Sequence, residues 1–156
     1  MDAPFKKTFS AKEALQKLQH FCAYQERCHN EVKSKAFDLG LNTTAVNNAI
    51  AALIEDDYLN EERYAILFAG GKFRIKQWGK IKIKYALQSK QISPINIKKA
   101  LSQIDEDAYL QTLHKLYNSY FNKLKGTPSI KHLKTKNYLL QKGFEMMLIN
   151  EAGVRS

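Results

Sequence analysis

GKIKIKYALQSKQISPINIKKALSQI, residues 79–104, reads as two amphipathic segments separated by a turn. In the first, Ile83, Ala86 and Leu87 share one helical face, while Lys80 and Lys84 stand together on the opposite one. In the second, Ser93 sits at a cap position and Pro94 at the first helical position, where its missing N–H costs nothing. The pattern recurs along the chain. A shift of 51 residues maps Val32 to Ile83, Lys33 to Lys84, Val46 to Ile97, Ala49 to Ala100, Ile50 to Leu101 and Leu53 to Ile104. A shift of 52 maps Lys82 to Lys134, Lys84 to Lys136, Leu87 to Leu139, Lys90 to Lys142 and Ile92 to Phe144. Any two amphipathic helices can be aligned, but agreement across two successive helices at almost constant spacing predicts tandem repeats. No stretch alternates apolar and polar residues between hairpin turns, so the expected fold is all-α, with three three-helix units at 10–57, 58–104 and 105–150 and short tails at 1–9 and 151–156.

Local signals fill in the remaining helices. Ser10-Ala11-Lys12-Glu13 is a capping box, followed by Leu15, Leu18, Phe21 and Cys22 at helical spacing. A second helix is expected from Cys28 to Leu39, ending at Gly40 in the left-handed conformation, and a third from Thr43 or Thr44 to Asp56-Asp57. Asn60, followed by Glu61 and Glu62, opens a helix whose inward stripe is Tyr64, Ala65, Leu67 and Phe68. Gly70-Gly71 then leaves three alternatives open: the helix ends, bends, or packs tightly against a neighbour. Asp105-Glu106-Asp107 begins a helix carrying Tyr109, Leu113, Leu116, Tyr120 and Phe121, and Thr127-Pro128 begins another with Leu133, Tyr138, Leu139 and Leu140 inward. Glu145 to Asn150 completes the series as a short final helix.

The 156 residues carry 25 Lys+Arg against 15 Asp+Glu, a formal net charge of +10, and a pI near 9.5. That balance favours polyanionic partners, whether nucleic acid, an anionic membrane surface or an acidic protein. The excess is not spread evenly. Residues 1–62 sum to −3 and residues 105–156 to +3, whereas 63–104 hold ten basic residues and no carboxylate. A merely soluble helical surface intersperses both signs, so this block stands out. The longest apolar run, Ala49 to Ile54, is far short of the ~20 residues that span a bilayer. Met1 to Lys7 has no apolar stretch after its charges to signal secretion, and Cys22 and Cys28 are too few for a disulfide scaffold. A cytoplasmic protein with two reduced thiols is expected.

No catalytic constellation emerges. Gly70-Gly71-Lys72 lacks the spaced first glycine and the Ser/Thr of a phosphate-binding loop. Cys22, Cys28, His20 and His29 have the wrong spacing for zinc and no second ligand pair downstream, so buried thiols are expected instead. His114 and His132 are isolated, and the carboxylates cluster at helix starts, where helix dipoles account for them. The expectation is a non-enzymatic protein with no catalytic residue, no metal and no cofactor. The positive feature is the basic block with Phe73, Trp78 and Tyr85 interleaved, a pattern suited to neutralising phosphates and stacking on unpaired bases. Trp78 fits core and contact equally, whereas Tyr64 and Tyr85 are expected in the core.

The run Tyr58-Leu59-Asn60-Glu61-Glu62-Arg63-Tyr64-Ala65, then Phe68, Lys72-Phe73-Arg74, Trp78-Gly79 and the spacing of Ile83, Leu87 and Ile92, resembles the central repeat of the bacterial regulatory RecX family. Lys136-Asn137-Tyr138-Leu139-Leu140-Gln141-Lys142-Gly143-Phe144 is similar to the end of that family's third repeat. The resemblance extends from Ser10 onward and is strongest over 58–104. Asn60 stands where an aspartate is common, Gln91 where the family often has glycine, and Gly70-Gly71 falls in a helix expected to be continuous.

The resemblance implies an elongated, curved array of three three-helix repeats that binds the RecA filament on single-stranded DNA and restrains it, limiting strand exchange, ATP turnover and filament growth. It implies a monomer with no membrane partner, acting in recombination, repair and the SOS response. Arg63, Lys72, Arg74, Lys76, Lys80, Lys82, Lys84, Lys90, Lys134 and Lys136 are the residues expected to meet the filament or its DNA. An acidic first unit would complement basic patches on the recombinase. The competing expectation is a general DNA-binding protein of helix-turn-helix-like units that takes free duplex.

Overall fold

A computed structural model of the chain describes residues 9–155; the expectations for Met1 to Lys7 lie outside the described residues. Among the described residues every regular element is a helix. In chain order these are α1 (Ala11–Tyr24), α2 (His29–Asp38), α3 (Thr43–Glu55), α4 (Glu61–Lys76), α5 (Lys80–Ser89), α6 (Pro94–Ser102), α7 (Glu106–Lys123), α8 (Pro128–Gln141) and α9 (Met146–Arg155). The backbone separates into two compact units, one ending at Tyr64 and one beginning at Ala65, with the division falling within α4.

In the first unit α1, α2 and α3 pack on one another. Ser10 caps α1 through the full capping box with Glu13, and the Asn42 side chain accepts from the amide of Ala45 at 2.9 Å to start α3. Leu18, Val32, Ala36, Val46 and Leu53 are fully buried, with Cys22 and Leu59 closing the cluster. Cys28 is also buried, so both thiols lie in the interior.

The second unit is organised around Tyr109. Its ring packs against Phe73 and Phe144 at centroid distances of 5.6 and 5.3 Å, contacts that add to the gain from burial alone. Its hydroxyl donates to Glu145 Oε1 at 2.8 Å and accepts from the amide of Lys80 at 3.0 Å. Burial, and secondarily the Glu145 carboxylate, push the phenol well above its ordinary range. Ile83, Leu87, Leu113, Tyr117, Leu139 and Ile149 complete the core.

The repeat recurs in the backbone as well as in side-chain pattern. Gly40, Gln91 and Gly143 follow the second helix of each three-helix group, and all three have left-handed φ, at 91°, 60° and 94°. After each, the next amide reaches back six residues inclusively: Leu41 to the carbonyl of Ala36, Ile92 to Leu87, and Phe144 to Leu139, at 3.3, 3.1 and 3.1 Å. These are Schellman caps, in which an apolar residue after the turn packs onto the last helical turn. Leu41, Ile92 and Phe144 are accordingly buried.

Several expectations are revised. α4 runs unbroken through Gly70 and Gly71. Gly70 is buried beneath the guanidinium of Arg74, where a Cβ would lie 2.8 Å from Nη1, while a Cβ on Gly71 would meet nothing within 4 Å. α9 runs on to Arg155 rather than stopping at Asn150, because Ala152 is fully buried and extends its apolar face. Tyr85 is 65% exposed rather than in the core, since it follows Lys84 on the outer side of α5. Leu133 is likewise exposed, and the inward position near it belongs to Thr135, whose hydroxyl donates to the carbonyl of Lys131. His132 is not isolated: Nδ1 lies 2.6 Å from the hydroxyl of Tyr117.

Candidate nucleic-acid interface

The predicted basic residues do not form one patch. Arg63 falls in the first unit, where Nε meets Glu26 Oε1 at 2.6 Å and Nη1 meets Asp57 Oδ2 at 3.1 Å. The hydrogen bond to Glu26 raises its pKa further, and the guanidinium braces the turn between α3 and α4. It was read as part of an unpaired block, but it is paired. Among the described residues no ion pair joins Lys72, Arg74, Lys76, Lys80, Lys82 or Lys84 to a carboxylate.

A strip of alternating cations and rings crosses the second unit. Lys90 and Lys72 approach the ring of Phe68 at 5.7 and 5.5 Å, and Lys72 and Lys82 approach that of Trp78 at 4.9 and 4.6 Å. Lys142 approaches Tyr138 at 5.8 Å, and Tyr138 stacks on Tyr120 with centroids 4.1 Å apart. Such contacts hold lysines over aromatic faces without neutralising their charge. Trp78 is half-buried, and its ring carries two ammonium groups.

Lys142 joins the strip through the end of α8. Its Nζ donates to the carbonyl of Lys76 at 3.2 Å. Burial, and then the charge of Lys82, lower its pKa, so a proton there is held at a cost that an approaching anion would relieve. Lys142 was missed among the candidate residues. The only sequence signal for it was its repeat-equivalence to Lys90.

The backbone fixes this strip through a helix-to-helix junction. The amide of Gly79 donates to the carbonyl of Lys142 at 2.7 Å, and the amide of Ile81 to that of Gly143 at 2.9 Å. With Tyr109 serving the amide of Lys80, the unsatisfied donors at the start of α5 are met by the unsatisfied acceptors at the end of α8. A Cβ on Gly79 would collide with the backbone of Gly143, and one on Gly143 with Lys82. Trp78 and Lys82 are thereby held against Lys142.

The other predicted residues lie outside the strip's ring contacts. The ammonium of Lys80 sits over Tyr109 at 4.9 Å, and Lys76 contributes its carbonyl to Lys142. Arg74 lies over Gly70, and Lys84 projects from α5. Lys134 and Lys136 stand earlier on α8 than Lys142, Lys134 exposed and Lys136 half-buried. Of the interleaved aromatics, Phe73 belongs to the core. Among the described residues no three His, Cys, Asp or Glu side chains gather as a metal site would require, and no helix is long and apolar enough to cross a membrane.

Tandem three-helix units with repeated Schellman caps define a class of all-α helical-repeat proteins. Residues 60–101 match the family model described as "RecX, second three-helix domain", and residues 106–152 the one described as "RecX, third three-helix domain". The chain belongs to the RecX family. It is 33% identical over 122 residues to the regulatory protein RecX of Clostridium perfringens strain 13, covering 76% of this chain and 57% of that protein. It is 28% identical over 131 residues to that of Lactobacillus johnsonii, covering 84% and 48%. The chain thus spans about half the length of the curated relatives it matches. The crystal structure of RecX from Lactobacillus salivarius has the same fold, with a TM-score of 0.85 at 23% identity over 91% of this chain and 93% of that one.

Proposed function

We propose that this chain is a non-enzymatic regulator that acts in the cytoplasm by binding the RecA recombinase filament on single-stranded DNA and restraining its activity. The observation that carries the reading is the strip from Lys90 to Lys142, cationic and aromatic at once, in a chain of this family. Lys72 and Lys82, which form no ion pair among the described residues, attract phosphate and release condensed counterions. Both are held over the Trp78 ring, so the strip presents fixed positive charge to the phosphates of a bound strand.

The test is RecA ATPase activity on single-stranded DNA. Substoichiometric or near-stoichiometric protein is expected to inhibit it, and no effect at any ratio would sink the proposal. Changing Lys72 and Lys82 together to glutamate is expected to relieve inhibition more than the same reversal at the exposed Lys12 and Lys33. Equal losses would mean that net charge alone matters. Tight duplex binding without any effect on RecA would favour a general DNA-binding protein instead.

A further inference from the structure

The first unit has a net acidic sequence, yet it carries a cleft of about 480 Å³ lined by Lys17, His20, Phe21, Tyr24, Arg27 and Lys35, with Leu39 at its base. Lys17, His20, Phe21 and Tyr24 fall at i, i+3, i+4 and i+7 of α1, so a single helical face presents them together. No carboxylate lines the cleft. Five of this unit's ten acids, Glu55, Asp56, Asp57, Glu61 and Glu62, gather at the end of α3 and the start of α4, while Glu13, Glu31 and Asp38 stand on α1 and α2 outside the cleft's lining.

The groups lining the cleft have distinct jobs. Arg27 lies over Phe21 at 3.8 Å, donates from Nε to the carbonyl of Phe21 at 3.0 Å, and approaches Glu31 at 3.7 Å. Its charge is therefore partly answered, and it forms a wall. Lys35 lies at 5.8 Å from the Phe21 ring and Lys17 at 4.7 Å from that of Phe9, and among the described residues neither forms an ion pair. Tyr24 is 83% exposed, with the guanidinium of Arg27 6.0 Å from its ring centre. A tyrosine ring this open, with Lys17 and Lys35 lining the same cleft, has no packing role that would account for its size.

We infer that this cleft is a second subsite for single-stranded nucleic acid, in which a base stacks on Tyr24 while Lys17 and Lys35 take the flanking phosphates. Stacking on an exposed ring beside free ammonium groups is how strands are held without sequence preference. A duplex has no unpaired base to offer. An acidic peptide would use the lysines and leave Tyr24 without a partner. The subsite goes beyond the proposed function, which rests on the strip in the second unit.

The experiment uses the full chain with an oligothymidylate in which 5-bromouracil replaces some thymines, irradiated and mapped by mass spectrometry. A crosslink at Tyr24 is expected. Tyr24→Ala is expected to weaken oligonucleotide binding roughly tenfold and Tyr24→Phe to preserve it, in line with the worth of one stacked base. Lys17→Ala and Lys35→Ala together are expected to make the salt dependence shallower by a slope of about 1.4, two phosphates' worth on a single strand. Because these side chains lie at the surface, circular dichroism is expected to match the parent. Crosslinks at Trp78 with none at Tyr24, and unchanged affinity for Tyr24→Ala, overturn the subsite while leaving the functional reading intact. A crosslink at Tyr24 with none near Trp78 does the reverse. A polyglutamate peptide that displaces the oligonucleotide and perturbs the Tyr24 resonance equally would reassign the cleft to an acidic protein.

Discussion

Gln91 stands in the left-handed conformation at φ 60°, where its repeat-equivalents Gly40 and Gly143 are glycines. A side chain there costs about 1–2 kcal/mol through the clash of Cβ with the following carbonyl. Gln91→Gly is therefore expected to raise unfolding free energy by about 1 kcal/mol, less the entropy that glycine adds to the unfolded chain. Chemical denaturation at unchanged m-value would register it. Gly71 is the opposite case, a helical glycine with open space around its Cα, so Gly71→Ala is expected to stabilise by about 1 kcal/mol. Lys142 carries a pH dependence. Its pKa is lowered in the folded state, by burial and then by Lys82, so the unfolded chain binds more protons between the lowered value and the ordinary lysine value of 10.5. Stability from this group accordingly rises with pH through that window, and its penalty is fully present below it. Phosphate arriving at the strip raises the pKa again, so oligonucleotide binding within that pH window is expected to take up a proton. Calorimetry in buffers of different ionisation enthalpy checks this, with Lys142→Met abolishing the uptake.

At the level of elements, the junction of α5 with α8 is where the second unit gains its rigidity. Two amides at the start of α5 bond two carbonyls at the end of α8, and Tyr109 bridges Lys80 to Glu145 across the same joint. The approach requires hydrogen at both Gly79 and Gly143. Gly79→Ala is expected to part the two helices and destabilise by several kcal/mol, on the order of 2–4 from the loss of buried backbone hydrogen bonds. Thermal melts would show it, with weakened oligonucleotide binding as Lys82 and Lys142 separate. Capping signals elsewhere were plain in the sequence at Ser10, Asn60, Asp105 and Thr127, each of which accepts from the amide three residues on, whereas the Asn42 cap of α3 emerged only in the structure. The junction was not legible, because Gly79 and Gly143 are 64 residues apart and each reads as an ordinary cap glycine. Nothing local says that one cap is satisfied by the other.

Across the whole molecule, the net charge of +10 resolves into two arrangements that the sequence sums do not reveal. Arg63 leaves the basic block for Glu26 and Asp57, Lys142 joins the strip from the third repeat, and the acidic first unit exposes a basic cleft. Salt titrations of oligonucleotide binding are expected to show a shallower slope for Lys72→Ala with Lys82→Ala, by about 0.7 per lysine, and no change in slope for Arg63→Ala, whose charge is already answered. Most helix positions, the caps at Ser10, Asn60, Asp105 and Thr127, the fifty-residue repeat and the acid-free segment were carried by the sequence, because each rests on local pattern, regular spacing or simple composition; the continuity of α4 through Gly70-Gly71 and the reach of α9 to Arg155 depended on packing. Which lysines share a ring, which glycines must touch, and which charges are cancelled depended on the folded chain, because Coulomb energy and packing act over distances in space that residue number does not measure.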